Sequence, residues 1–216
     1  FIAISDKNFS SFEKICEVEI TNNQTRINDA KVDPYGGIVF GTYNEDPDKA
    51  KRKPIANLYR LAPNLSLTHL LSNITVSNGI AFSENENIMY FADTPTGRIQ
   101  KFEYTKNFNK FYELEANMIF KNVGEPDGAT VDKDNNYWSA RVRGKCIICV
   151  DTKDETIIEK ISLPTNTPTC VTFGGANLNS LYITSLRADP TSDNEGGNLH
   201  KIETSTQGRA QLLTDI

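Results

Sequence analysis

The sequence predicts an all-β protein folded as a β-propeller, and three observations carry that prediction. A polar anchor lies four positions before the last apolar residue of a turn at Asn28, Asn78, Asp127 and Thr169, and each turn is followed by a β-branched or aromatic run. The anchors are separated by 50, 49 and 42 residues, the period of a propeller blade when no helical pattern fills the interval. A third short apolar run follows each copy at a shared spacing, at residues 58–61, 99–102, 147–150 and 199–202.

The elements follow in order. Residues 1–20 read as two strands about a turn at 5–9. The first copy runs from Arg26, Ile27 and Asn28 through the Val32, Asp33, Pro34 turn to Gly41 and Thr42. Between Glu45 and Pro54 a polar loop carries the basic residues Lys49, Lys51, Arg52 and Lys53, read as a solvated connection between strands. The second copy opens on Asn78 and Gly79, the third on Pro126, Asp127 and Gly128, the fourth on Thr169 and Cys170. Residues 104–120 contain the helix-friendly stretch 114–118 but fall where a blade needs its outer strand, and are read as that strand.

The geometry of a propeller turns this repeat into a site prediction. The innermost strand of each blade starts beside the central channel, so equivalent positions converge on one axis. Asn28, Asn78 and Asp127 are therefore expected to face one another. Asp127 has a proline before it and a glycine after it, a stiff corner whose backbone leaves room for a ligand.

A chain of 216 residues with 38% hydrophobic composition can bury one core, and residues 1–216 read as a single domain. A net charge of −5 with both signs interspersed argues against nucleic acid or an anionic membrane as the main partner. No apolar run has the length of a membrane span, and no secretory leader pattern opens the chain. Cys146 and Cys149 form a C-x-x-C, but in a strand positions three apart point to opposite faces, and no second pair or nearby histidine completes a zinc set. Reduced cysteines fit a cytoplasmic location. The sequons at Asn8, Asn23, Asn64 and Asn73 do not decide against it in so asparagine-rich a chain.

Other motifs carry no chemistry. Asp132, Asp134 and Asn136 imitate half of an EF-hand, but Tyr137 stands where its glycine would be and Arg143 where its glutamate would be. His69 and His200 are the only histidines, both within strand patterns, which disfavours histidine-assisted nucleophilic catalysis. Tyr137 and Trp138 fall on an inner blade strand and are expected in the core.

Arg26, Asn28 and Asp29, then Val32, Asp33 and Pro34, Gly41 and Thr42, Asn78 and Gly79, the Pro126, Asp127, Gly128 triplet, and Cys170 through Gly174 and Gly175 together resemble the gluconolactonase, regucalcin and luciferin-regenerating enzyme family. The resemblance implies a six-bladed propeller with one divalent cation in its channel and a metal-dependent hydrolase that opens small sugar-type lactones. It implies Asn78 and Asp127 as metal ligands, Asp127 also as general base, and Arg26, Asn28 and Glu45 or Asp46 as substrate contacts. Calcium is the first expectation for the cation, with zinc, manganese or magnesium as alternatives. The alternatives for function are a calcium-binding, regucalcin-like regulator without significant catalysis, and an inactive fragment. The family's third, acidic ligand has no counterpart, since Glu17 and Glu19 stand in a different context, and Ala30 replaces a family glycine. The chain is expected to begin inside the second blade, lacking roughly the first, about 75 residues short of six repeats. A monomer acting on a small-molecule lactone, without nucleic acid or membrane, is the expected state.

Overall fold

A computed structural model of the chain describes residues 1–83, 87–108, 111–187 and 191–216. A two-stranded ribbon, β1 (Ile2–Ser5) and β2 (Phe12–Cys16), precedes four antiparallel sheets laid down in chain order. Blade A contains β3 (Thr25–Val32), β4 (Ile38–Asn44), β5 (Ala56–Leu61) and β6 (Leu67–Ile74). Blade B contains β7 (Ser77–Phe82), β8 (Ile88–Asp93), β9 (Arg98–Glu103) and β10 (Glu113–Ile119). Blade C contains β11 (Glu125–Val131), β12 (Tyr137–Val142), β13 (Cys146–Asp151) and β14 (Thr156–Ser162). Blade D contains β15 (Pro168–Gly174), β16 (Ser180–Ser185) and β17 (Leu199–Glu203). In each blade the strand order equals the sequence order, and the fold is all-β and propeller-like. The helix-friendly residues 114–118 lie in β10, because the strand pairs with β9 and its Met118 is fully buried. Among the described residues no helix is long and apolar enough to cross a membrane.

The blades cohere because their strands are apolar on both faces. In β8, Met89 and Phe91 join Val39, Leu58 and Ile74 of blade A, while Tyr90 and Ala92 join Ala129, Tyr137 and Ile148 of blade C. Trp138 and Ile147 pack in the same way on Val171, Phe173 and Leu181 of blade D. Each such large side chain contributes about 1.5–3 kcal/mol by leaving water. Alternation also separates the C-x-x-C thiols: Cys146 lies between blades B and C, and Cys149 between C and D. Neither is placed to share a metal or a disulfide with the other.

After three of the inner strands, those of blades A, B and C, the residue following the last apolar one is polar and ties the chain beyond it. Asp33 Oδ1 accepts from the Tyr35 and Gly37 amides at 2.7 and 3.0 Å. Its Oδ2 accepts from Arg60 Nε and, at 2.6 Å, from Tyr104 Oη. Asp132 binds the Asp134 and Asn136 amides, each at 2.9 Å, and Trp138 Nε1 at 2.9 Å, which makes the EF-hand look-alike a β-turn. Among the described residues, Ser83 Oγ accepts from the Ile88 amide at 3.0 Å and donates to the Ile88 carbonyl at 3.4 Å.

A bulge interrupts every inner strand at its anchor. Register shifts fall between Ile27 and Ala30, Asn78 and Ala81, Pro126 and Ala129, and Pro168 and Cys170. At the other end of these strands residues 204–216 run beneath the channel. Gly208 N donates to Leu178 O at 2.7 Å in blade D, and Asp215 N to Gly36 O at 2.9 Å in blade A. A cavity of about 600 Å³ lies under this strap, lined by Val32, Phe82, Val131, Leu212 and Leu213 among others.

Asp33 holds a buried arginine as well as backbone amides, and Ser83 holds the Ile88 backbone, so their loss should differ. Asp33→Ala strands the buried Arg60 guanidinium and is expected to cost about 3–5 kcal/mol, against about 1 kcal/mol for Ser83→Ala. Urea denaturation of the two variants compares them directly.

Candidate functional site in the channel

The bulges decide which side chains reach the channel. A bulge leaves its extra residues unpaired and re-aims them. Here those residues are Asn28 and Asp29 on β3, Gly79 and Ile80 on β7, Asp127 and Gly128 on β11, and Thr169 on β15.

Two of the predicted anchors, Asn28 and Asn78, are joined by one run of hydrogen bonds that ends on the residue before the third. Asn28 Nδ2 donates to Ser77 O at 2.8 Å and to Asn78 Oδ1 at 3.2 Å. Asn78 Nδ2 donates to Thr94 Oγ1 at 2.8 Å, and Thr94 Oγ1 donates to Pro126 O at 2.9 Å, the carbonyl directly before Asp127. The fourth anchor does not join them. Thr169 Oγ1 faces Thr184 Oγ1 at 2.9 Å, and its neighbour Cys170 turns toward β11 instead.

Two glycines make this approach sterically possible. A Cβ on Gly128 would stand 2.7 Å from Cys170 Sγ, and one on Gly79 would stand 2.4 Å from Tyr137 Oη. Gly79 also has a φ of +64°, in the left-handed region, and its carbonyl accepts from Tyr137 Oη at 2.8 Å.

The channel concentrates negative charge in a low-dielectric setting. Burial pushes the Asp127 carboxyl up to about 7, opposed by one hydrogen bond from the Gly128 amide and reinforced by Asp29. Burial likewise raises Asp29, although its Oδ2 accepts from the Ile80 amide at 2.9 Å. The Tyr137 hydroxyl is also pushed up, by burial first and Asp29 second. A carboxyl that titrates near neutrality is suited to taking a proton from water.

Arg26 and Glu45 stand together at the rim. Arg26 Nε lies 2.8 Å from Glu45 Oε1, and its guanidinium stacks over Tyr43 at 4.5 Å. Asp46 turns away and accepts from the Asp48 amide at 2.9 Å. Of the two acidic candidates, Glu45 is therefore the one beside Arg26. The pair's half-exposed position keeps its contribution to stability small.

As cation donors, Asn78 Oδ1 and the Asp127 carboxylate are the hard oxygens that calcium or magnesium takes, and among the described residues Asp127 forms no ion pair. Among the described residues no group of three or more histidine, cysteine, aspartate or glutamate side chains could hold a metal.

Reading the residues missed Thr94 and Asp29. Thr94 lies outside the repeated phrase, so nothing in the period singles it out. Asp29 stood inside the phrase beside Asn28, and a bulge at that point was the missing signal.

Fold and channel define a propeller-like protein with a polar site on its inner strands. The SMP-30/Gluconolactonase/LRE-like region matches residues 1–187, and the chain belongs to that family. It is 28% identical over 207 residues to the pentonolactonase XacC of Haloferax volcanii, covering 91% of this chain and 69% of that one. It is 31% identical over 183 residues to the regucalcin of Danio rerio, covering 81% of this chain and 59% of that one. The solved structure of a luciferin-regenerating enzyme superposes with a TM-score of 0.85 at 28% identity, over 96% of this chain and 71% of that one.

The raised Asp127 carboxyl has a stability consequence with a definite sign. In chelator-treated protein the unfolded chain ionises near 3.8 while the folded chain keeps the proton to about 7. Stability therefore falls as pH rises between these values and is level on either side. Asp127→Asn should remove that fall and be more stable than the parent by about 1–3 kcal/mol at pH 8. Denaturant midpoints of both proteins at pH 4 and pH 8 give the comparison.

Proposed function

We propose that the channel opens small sugar-type lactones in a metal-dependent hydrolysis, with Asp127 as the base. The observation that carries this is the placement of Asp127: a carboxylate set in a bulge of the inner strand, directly after the Pro126 carbonyl that Thr94 joins to Asn78 and Asn28. The family assignment and the pentonolactonase relative support the substrate class.

Ring opening adds water across the acyl C–O bond. A water molecule attacks the carbonyl carbon, the ring C–O bond breaks, and the product is a hydroxy acid. Asp127 accepts the proton of the attacking water and returns it to the departing alkoxide. Asn28 and Arg26 are the groups to hold the sugar hydroxyls and the carbonyl, with Glu45 fixing Arg26 through their ion pair. Asn78 and Asp127 would hold a divalent cation, calcium first, which supplies positive charge to offset the developing oxyanion.

A second reading has one observation in its favour: the Danio rerio relative is named regucalcin. On that reading the chain binds calcium without turning over a lactone. A six-bladed ring is the full architecture we propose, since four sheets and a ribbon span 71% of the luciferin-regenerating enzyme chain. Reduced thiols at Cys16, Cys146, Cys149 and Cys170 support a cytoplasmic setting.

A pH-indicator assay against a panel of sugar lactones separates the readings. Turnover that depends on added cation is the expected result, and calcium binding without acid release favours the regulator. Asp127→Asn should cut turnover by about 10²-fold or more. Asn78→Ala should weaken cation binding yet keep measurable turnover at saturating metal; equal residual activity in both variants would place the base elsewhere.

A further inference from the structure

We propose that Glu19 is a positioning residue that fixes the Arg26 end of the channel through hydrogen bonds. The carboxylate gathers donors from three successive strands of blade A. Its Oε2 accepts from Thr25 Oγ1 on β3. Its Oε1 accepts from Thr42 Oγ1 on β4 at 3.1 Å, and from Asn57 Nδ2 and Tyr59 Oη on β5 at 2.5 and 3.0 Å. Thr42 is tied in further, accepting from the Asn57 amide at 3.0 Å.

Glu19 lies outside any strand, in the link between β2 and β3, and adopts a left-handed φ of +50°. A glutamate gains nothing from that backbone by itself, so the four hydrogen bonds hold it there. Thr25, the residue they grip, is the neighbour of Arg26. Glu19, Thr25, Arg26 and Thr42 line the same small cavity of about 220 Å³ at the blade's inner edge. The carboxylate is saturated by donors of the chain, which disqualifies it as base or cation ligand and defines it as a strut. It staples the start of β3 across the blade, and so sets where the Arg26 and Glu45 pair stands.

A functional role through Arg26 rests on the lactonase reading, so the test carries one arm that needs no turnover. Gln is the decisive substitution. Its carbonyl oxygen can take the three donors on Oε1, and its amide can donate to Thr25 Oγ1, so geometry survives while charge is lost. In the full chain, Glu19→Ala should speed amide exchange in residues 24–28 by about tenfold or more without altering blades B to D. It should also raise the lactone KM about tenfold with kcat within about threefold, while Glu19→Gln stays within about threefold of the parent in both readouts. Combined with Arg26→Ala, Glu19→Ala should add little to KM, because both act through one contact. The inference is overturned if Gln is as damaging as Ala, if Ala leaves the exchange of residues 24–28 unchanged, or if exchange quickens throughout the chain. A parent protein that opens no lactone would sink the proposed function alone, since the exchange arm still decides the role of Glu19.

Discussion

The site depends on one backbone irregularity repeated four times. An uninterrupted inner strand would direct alternate side chains into the two interblade cores, where Asn28 or Asp127 would meet hydrophobic packing. The bulges between Ile27 and Ala30, Asn78 and Ala81, and Pro126 and Ala129 spend ladder pairing to turn these residues toward the axis. Downstream of each bulge the strand resumes its ordinary alternation, so the packing of Val32, Phe82 and Val131 is undisturbed. Site and scaffold thus share strands of six to eight residues without competing for the same positions.

Much of this was legible in the chain, for a definite reason. A blade is a local object, and its alternating strands and turn residues repeat at a period that can be counted. The four anchors, the third strands and the outer strand near 113–119 follow from that period, and the opposite burial of Cys146 and Cys149 follows from alternation. What escaped was chemistry between blades. Thr94 connects Asn78 to Pro126 from a loop of no periodic character, and Asp29 lies within range of Asp127 only because blades A and C meet at the axis. Glu19 looked like an acid without context. Its context is Asn57 and Tyr59, about 40 positions away in β5.

The channel also sets stability against chemistry. Asp33 and Asp132 are buried carboxylates wrapped in donors and serve the turns. Asp127 has a single amide donor and a like charge nearby, an arrangement that disfavours its ionised form.

The strap beneath the channel bears on the order in which the molecule assembles. Blades A to D close through neighbours along the chain and are cheap to form in sequence. Thr214 Oγ1, by contrast, reaches Gly36 O across 178 positions. Closing such a loop in a disordered chain would cost about 4–5 kcal/mol of entropy, far more than two hydrogen bonds return. The contact therefore becomes affordable only after the sheets between its ends have condensed and brought them within reach. It works as a latch on the assembled sheets, able to open and reseat while the blades stay folded.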